Sequence, residues 1–174
     1  PYERYEAEPE RCLTNGTFLA PSDDQRTLQA EASHQQALQL TAKGDYVAWV
    51  VNRAGDGLTI RFSLPDSEQG TGTRGNLAVY AGEEQVGMLA LDSYWAWQYC
   101  MGNYPDNTPK TNCIIRMKFD ETHLRLTRPV ESGETLRLVK TDDNTTPYTI
   151  DFVELEPVPA PVRYEDITGD KVQY

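Results

Sequence analysis

Positive charge is scarce in this chain: 16 Lys and Arg stand against 27 Asp and Glu, a formal net charge of −11 over 174 residues. Such a surface repels phosphate backbones and anionic lipid alike, which argues against nucleic acid or membrane as a partner. Long apolar runs are also missing, since no stretch approaches the roughly 18 to 20 residues that a bilayer crossing needs. The opening PYERYEAEPE has no basic-then-apolar signal pattern and reads as a mature or trimmed start. With three cysteines, no CxxC and no Cys/His cluster at zinc spacing, neither a disulfide scaffold nor a zinc site is expected. The two histidines, His34 and His123, have no triad or metal motif around them. Helical periodicity is absent as well.

What the chain does have is the alternation of β-strands. Tyr46 to Val51, Leu58 to Leu64, Asn76 to Tyr80 and Val86 to Leu91 each carry β-branched, aromatic or leucine side chains at period two. So do Cys113 to Phe119, His123 to Thr127, Thr135 to Lys140 and Tyr148 to Leu155. Tight-turn chemistry separates them at Lys43-Gly44-Asp45, Ala54-Gly55-Asp56-Gly57, Ala81-Gly82-Glu83 and Glu131-Ser132-Gly133. Eight or more such strands predict an all-β, antiparallel β-sandwich, with Leu124, Leu126, Leu136 and Leu138 inward and Arg125 and Arg137 toward water. A chain this long buries roughly 70% of its unfolded surface, so one domain suffices.

After Glu156 the composition shifts to PVPAPV, an extended and semi-rigid run. The expected division is therefore a sandwich over 1–156, and over 157–174 a proline-rich linker with the start of a following module. Three long interruptions remain, Ala20 to Arg26, Pro65 to Gly75 and Asp92 to Asn112, and loops of that length in a compact sandwich carry function or are disordered. Cys100 and Cys113 bracket the Pro- and Asn-rich part of the third, where a disulfide would restrain it, leaving Cys12 over. An oxidised pair would place the protein outside the cell or in the periplasm.

The third interruption is also aromatic. Tyr94, Trp95, Trp97 and Tyr99 fall within six residues, with Tyr104 close behind. Sugars offer apolar C–H faces ringed by hydroxyls, so a site for them pairs an exposed aromatic plane with a few polar partners. Strict alternation would put Trp95, Trp97 and Tyr99 on one face and Tyr94 with Ala96 on the other. Trp49, mid-strand, is expected in the core.

Tyr5-Glu6-Ala7-Glu8 at the start and Tyr148 to Leu155 at the end resemble the first and last strands of carbohydrate-binding modules of families 6 and 35. Glu31-Ala32-Ser33, Ala37 to Leu40 and Gly44-Asp45-Tyr46-Val47-Ala48-Trp49 resemble a subgroup of these fused ahead of right-handed β-helix glycan-active enzymes. The resemblance, over about residues 2–156, implies a galactose-binding-like jelly roll with a structural calcium ion where the terminal strands meet. Glu6, Glu8 and Asp151 would be its carboxylate ligands, with backbone carbonyls near Arg26 to Gln29. It also implies that the aromatic loop binds sugar together with the turn before the last strand, where Asp142, Asp143 and Asn144 offer hydroxyl partners. Thr149 departs from the asparagine that family 6 often places ahead of the Ile-Asp pair. The function expected is a secreted, non-catalytic carbohydrate-binding module, not an enzyme, that targets a covalently linked catalytic module to a polysaccharide. The alternatives are a calcium-stabilised structural or interaction sandwich without sugar binding, and a glycoside hydrolase.

Overall fold

In the computed structural model the described residues are 1–99, 109, 115 and 117–161. Eleven strands account for the regular structure: β1 (Glu3–Glu6), β2 (Leu13–Thr14), β3 (Thr17–Leu19), β4 (Ala37–Leu40), β5 (Tyr46–Val50), β6 (Gly55–Ser63), β7 (Arg74–Ala81), β8 (Glu84–Asp92), β9 (Asp120–Val130), β10 (Thr135–Lys140) and β11 (Tyr148–Glu156). Among the described residues, two single turns of 3-10 helix accompany them, Gln29–Glu31 and Ser33–Gln35. The strands form two antiparallel sheets, one ordered β3-β4-β11-β6-β9 with β1 also on β11, the other β2-β5-β10-β7-β8. This is the antiparallel sandwich that the alternation predicts, and the first and last strands are paired, Glu3 opposite Leu155 and Glu6 opposite Phe152.

The alternating apolar faces of both sheets meet in one core. Leu38, Leu40, Val47, Trp49, Leu58, Ile60, Phe62, Leu77, Val79, Leu136, Leu138, Ile150 and Val153 are buried in it. Leu126 belongs to it and Leu124 packs half-buried against it, as the pattern requires. Trp49 is core as expected, and its indole N–H donates to the Glu6 carbonyl at 2.9 Å. The turn glycines Gly44 and Gly133 have φ of 90° and 85°, a backbone that an L side chain rarely adopts.

One irregularity in β11 positions the polar face. Tyr148–Ile150 pair with β4, while the strand's later residues pair with β1. Between the two partners the register against β6 shifts at Asp151. A bulge adds a residue and re-aims side chains. Ile150 and Val153 both reach the core, while Asp151 and Phe152 lie on the outer face, where the Arg4 guanidinium stacks 3.8 Å above the Phe152 ring.

The expected strand Cys113 to Phe119 lies in part outside the described residues; of those described, Met117 makes a single bridge with Gln98, and Lys118 and Phe119 lie outside any strand. Lys118 is turned inward, its ammonium donating to the carbonyls of Gln25 (2.7 Å) and Thr27 (3.0 Å), so it ties two loops together instead of extending a sheet. Cys100 and Cys113, Tyr104 and the segment 162–174 lie outside the described residues. Cys12 is a free thiol, pushed up to about 11 by burial.

Candidate functional site

Where β1 leaves the sheet, four carboxylates gather on the outer face. Glu6 and Glu8 are two apart and share a side, and the Ser33-His34-Gln35 turn folds over them. Oxygens of Glu6 and Glu8 and a ring nitrogen of His34 all lie within 4.8 Å of one another. His34 Nδ1 is 2.7 Å from Glu8 Oε1, and Arg11 Nε is 3.3 Å from Glu8 Oε2. Ser33 joins this trio to the last strand: its hydroxyl donates to Glu6 Oε1 at 3.2 Å and its N–H to Asp151 Oδ1 at 2.9 Å. The turn is held at unusual backbone angles, φ of 48° at His34 and 59° at Gln35, in a region that non-glycine residues seldom occupy.

The electrostatics of this cluster are unbalanced. Asp151, 1% exposed, is pushed up to about 6, chiefly by burial, against the opposing pull of the Ser33 N–H and Arg61. Burial and then the neighbouring Glu8 also raise Glu6. Arg61 Nε approaches Asp151 Oδ2 at 2.9 Å as an ion pair, without the alignment of a directed hydrogen bond. Glu6 Oε2 and Glu31 Oε2 are shielded from water with no hydrogen-bond partner. A shielded carboxylate oxygen without a partner, with the Glu8 carboxylate within 4.8 Å of the Glu6 carboxylate, is a donor set that a hard cation such as calcium would fit. Asp151 stands one step away through Ser33. Of the carbonyls near Arg26 to Gln29, that of Thr27 accepts from Lys118, that of Leu28 from the Glu31 N–H and that of Gln29 from the Ala32 N–H. Sequence reasoning missed Glu31, His34 and Arg61 as members of this site; the one signal was the polar Glu31-Ala32-Ser33-His34 turn.

The loops after β6, β8 and β10 meet at one end of the sandwich, since Arg74 lies opposite Asp92 and Lys140 opposite Leu77. The aromatic loop there does not alternate as expected. Residues 94–96 form a turn, closed by the Ala96 N–H on the Ser93 carbonyl at 3.0 Å. The turn separates the rings into two pairs. Tyr94 and Trp95 contact edge to face with centroids 4.6 Å apart, and Trp95 is 81% exposed. Trp97 and Tyr99 are stacked 6.2 Å apart on the inner side. The Trp97 N–H donates to the Leu64 carbonyl at 2.9 Å, and the Tyr99 hydroxyl donates to Asp66 Oδ2 at 2.6 Å. Asp66 Oδ1 accepts from Ser67 and Gly72, and Gly72, at φ 75°, sits where a Cβ would press 2.5 Å from the Tyr94 nitrogen.

In the turn before β11 two of the expected hydroxyl partners, Asp142 and Asn144, already have partners within the fold. Asp142 Oδ2 accepts from the Asn76 N–H and the Tyr148 hydroxyl, each at 2.6 Å. Asn144 Oδ1 accepts from Lys140 Nζ at 2.8 Å and from the Thr146 N–H at 3.0 Å. Asp143 is exposed.

Comparison with known proteins places this architecture. The sandwich superimposes on the crystal structure of the Agl-KA catalytic domain with a TM-score of 0.83 and 35% identity, covering 94% of this chain and 29% of that one. The catalytic unit of a thermostable GH87 alpha-1,3-glucanase from Streptomyces thermodiastaticus strain HF3-3 matches with a TM-score of 0.73 and 31% identity, over 92% and 26% of the two chains. At 23% identity a third, a GH87 alpha-1,3-glucanase catalytic domain in complex with nigerose, has a TM-score of 0.83 over 97% of this chain and 30% of that one. A family 6 carbohydrate-binding module shares the fold at a TM-score of 0.55 and 11% identity, covering 90% and 94%. No curated protein matches. The chain thus spans less than a third of the length of the glucanase chains it matches.

A family model described as "Alpha-1,3-glucanase catalytic domain D1" matches residues 1–158. That corrects the expectation of a non-catalytic module attached to an enzyme, because the model that matches describes part of an alpha-1,3-glucanase catalytic domain. The likeness to binding modules holds at the level of the sandwich fold, and a fold does not fix a role. By this match, the chain belongs to the alpha-1,3-glucanase catalytic domain D1 family.

Proposed function

We propose that this sandwich is a working part of an α-1,3-glucanase catalytic unit, and that the protein carrying it hydrolyses α-1,3-glucan outside the cell. The observation that carries this reading is the family match over residues 1–158, with identities of 35% and 31% to catalytic units. Glycoside hydrolysis uses a pair of carboxyl groups open to the scissile bond. Glu8 and Asp151 are buried and engaged by His34, Arg11, Ser33 and Arg61, so they hold structure, and the reacting pair belongs among the other acids of the unit.

Two contributions of the sandwich follow from its own geometry. Glu6 and Glu8 would hold a calcium ion, which when bound supplies the positive charge that the shielded oxygens lack. The Ser33 link then fastens β1 to β11. At the loop end Trp95, supported edge-on by Tyr94, presents a plane on which a pyranose can stack, with Asp143 exposed on the neighbouring turn. A substrate panel of α-1,3-, α-1,4- and β-1,3-glucans, read by release of reducing ends, tests the reading. Release confined to the α-1,3 polymer supports it, and release from only the other two refutes it.

A further inference from the structure

The exposed plane of Trp95 has a polar pair at the root of its turn. In the ladder of β7 on β8, Arg74 lies opposite Asp92. The Arg74 guanidinium donates from Nε to Asp92 Oδ2 at 2.9 Å, and Asp92 Oδ1 accepts the Tyr94 N–H at 2.8 Å. One carboxylate thus joins the arginine to the first residue of the aromatic turn. The Arg74 side chain is 86% exposed, so the fork of its terminal nitrogens stands in water, and the half-exposed Asp92 keeps a lone pair on each oxygen. Beneath the pair the backbone is fastened. Ser93 is fully buried, and its hydroxyl accepts from the Thr73 N–H at 2.8 Å and donates to the Pro65 carbonyl at 3.1 Å. Its own N–H donates to the Thr73 carbonyl at 3.0 Å, and Gly72 lies so close against the Tyr94 backbone that a Cβ has no room. The scaffold is therefore buried and bonded, while Trp95 and Tyr94, which it carries, form adjoining aromatic surface left in water.

The charges of Arg74 and Asp92 cancel, so the place calls for neither an anion nor a cation. What the pair offers is a donor fork beside an acceptor. That suits a ring on which one hydroxyl donates to the carboxylate while the neighbouring oxygen accepts from the guanidinium. A neutral pyranose has such neighbours, and its C–H face suits an indole. In an α-1,3-linked unit a free hydroxyl stands next to the linking oxygen, which leaves both roles filled. We infer that Trp95, Tyr94, Arg74 and Asp92 form one subsite for a single neutral pyranose unit of a glucan chain, with the ring stacked on Trp95 and its oxygens held by Arg74 and Asp92. The inference deepens the function proposed above and rests on it for the identity of the glucan.

Trp95→Ala and Arg74→Ala, each in the whole protein, test this. Both side chains are exposed, so both variants should melt within about 2 °C of the wild type. Retention on insoluble α-1,3-glucan, measured in the cold, should weaken roughly tenfold in Trp95→Ala and roughly fivefold in Arg74→Ala. Wild-type retention by both folded variants would overturn the inference. Should either variant melt early, tryptophan emission decides. A soluble α-1,3-linked oligosaccharide should shift the wild-type emission to the blue as Trp95 leaves water, and the shift should vanish in Trp95→Phe, which keeps a ring for stacking. No shift at saturating sugar, or an equal shift in both proteins, overturns the subsite. The two proposals fail separately. A protein that leaves α-1,3-glucan uncut but is retained on another neutral glucan in a Trp95- and Arg74-dependent way keeps the subsite and loses the glucanase reading. One that cuts α-1,3-glucan, with retention indifferent to both substitutions, keeps the reading and loses the subsite.

Discussion

Two places in this sandwich bring buried charge together, and they are opposites. Lys140 at the end of β10 is fully buried, and its ammonium donates to the carbonyls of Thr41 (2.6 Å), Asn144 (3.1 Å) and Thr146 (2.6 Å) and to Asn144 Oδ1 (2.8 Å). The Tyr148 ring lies 4.2 Å away as a further partner. Here the chain supplies its own cation, and every acceptor points at it. At β1 the arrangement is reversed: Glu6, Glu8, Glu31 and Asp151 collect acceptors, some without donors, although Ser33, Arg61, Arg11 and His34 approach them. The first knot is complete as folded, whereas the second keeps shielded carboxylate oxygens without a hydrogen-bond partner, which the calcium proposed above would satisfy.

The contrast can be broken most severely at the complete knot. Lys140→Met should remove about 3 kcal/mol or more, because four acceptors lose their donor in a dry place, and lower the melting temperature by roughly 6–12 °C. Calcium should not restore it. At the carboxylate knot the sensitivities exchange: removing calcium with a chelator should lower the melt by an amount corresponding to about 2–3 kcal/mol at a hundredfold excess of ion over its dissociation constant. Metal analysis and a melt with and without chelator check this, and an ion-free protein with an unmoved melt contradicts it.

A smaller effect sharpens the comparison through pH. Asp151 has its folded pKa raised to about 6, above the ordinary aspartate value near 4, so its contribution to stability is full below about pH 4 and fades as pH rises through about 6. In chelator, stability should therefore fall over that window by on the order of 2 kcal/mol, and Asp151→Asn should flatten the curve. Calcium should flatten it too, by favouring the carboxylate. The smallest effect on stability belongs to Trp95→Ala, within about 0.5 kcal/mol in the melt because the ring is 81% exposed, while glucan binding weakens. A large drop in the melt would assign that ring to packing.

Much of the fold was legible because alternation is a local signal. The strands from Tyr46 to Asp92, and β10 and β11, lie where period two and turn residues put them. The short β2 and β3 were not readable, since two or three residues carry no period. Cys113 to Phe119 alternates without pairing as a strand among its described residues, because Lys118 finds its partners in a distant loop. The aromatic loop failed for a related reason: the Ser93-to-Ala96 turn ends the alternation on which the grouping of rings depended. Glu6 and Glu8 were readable as a pair, being two apart on one strand, but His34, Glu31 and Arg61 join them only through the fold. The role was least legible. The sandwich fold is shared by a family 6 carbohydrate-binding module and by this alpha-1,3-glucanase catalytic domain D1 family, and the fold does not separate their roles.

That separation can be measured directly. In the whole protein, hydrolysis of soluble α-1,3-linked oligosaccharides should be followed across the melting transition of the sandwich, with Lys140→Met moving that transition. If the sandwich is a working part of the catalytic unit, activity is lost as it unfolds, and the variant loses activity at correspondingly lower temperature. Activity that persists unchanged after the sandwich has melted would contradict the account.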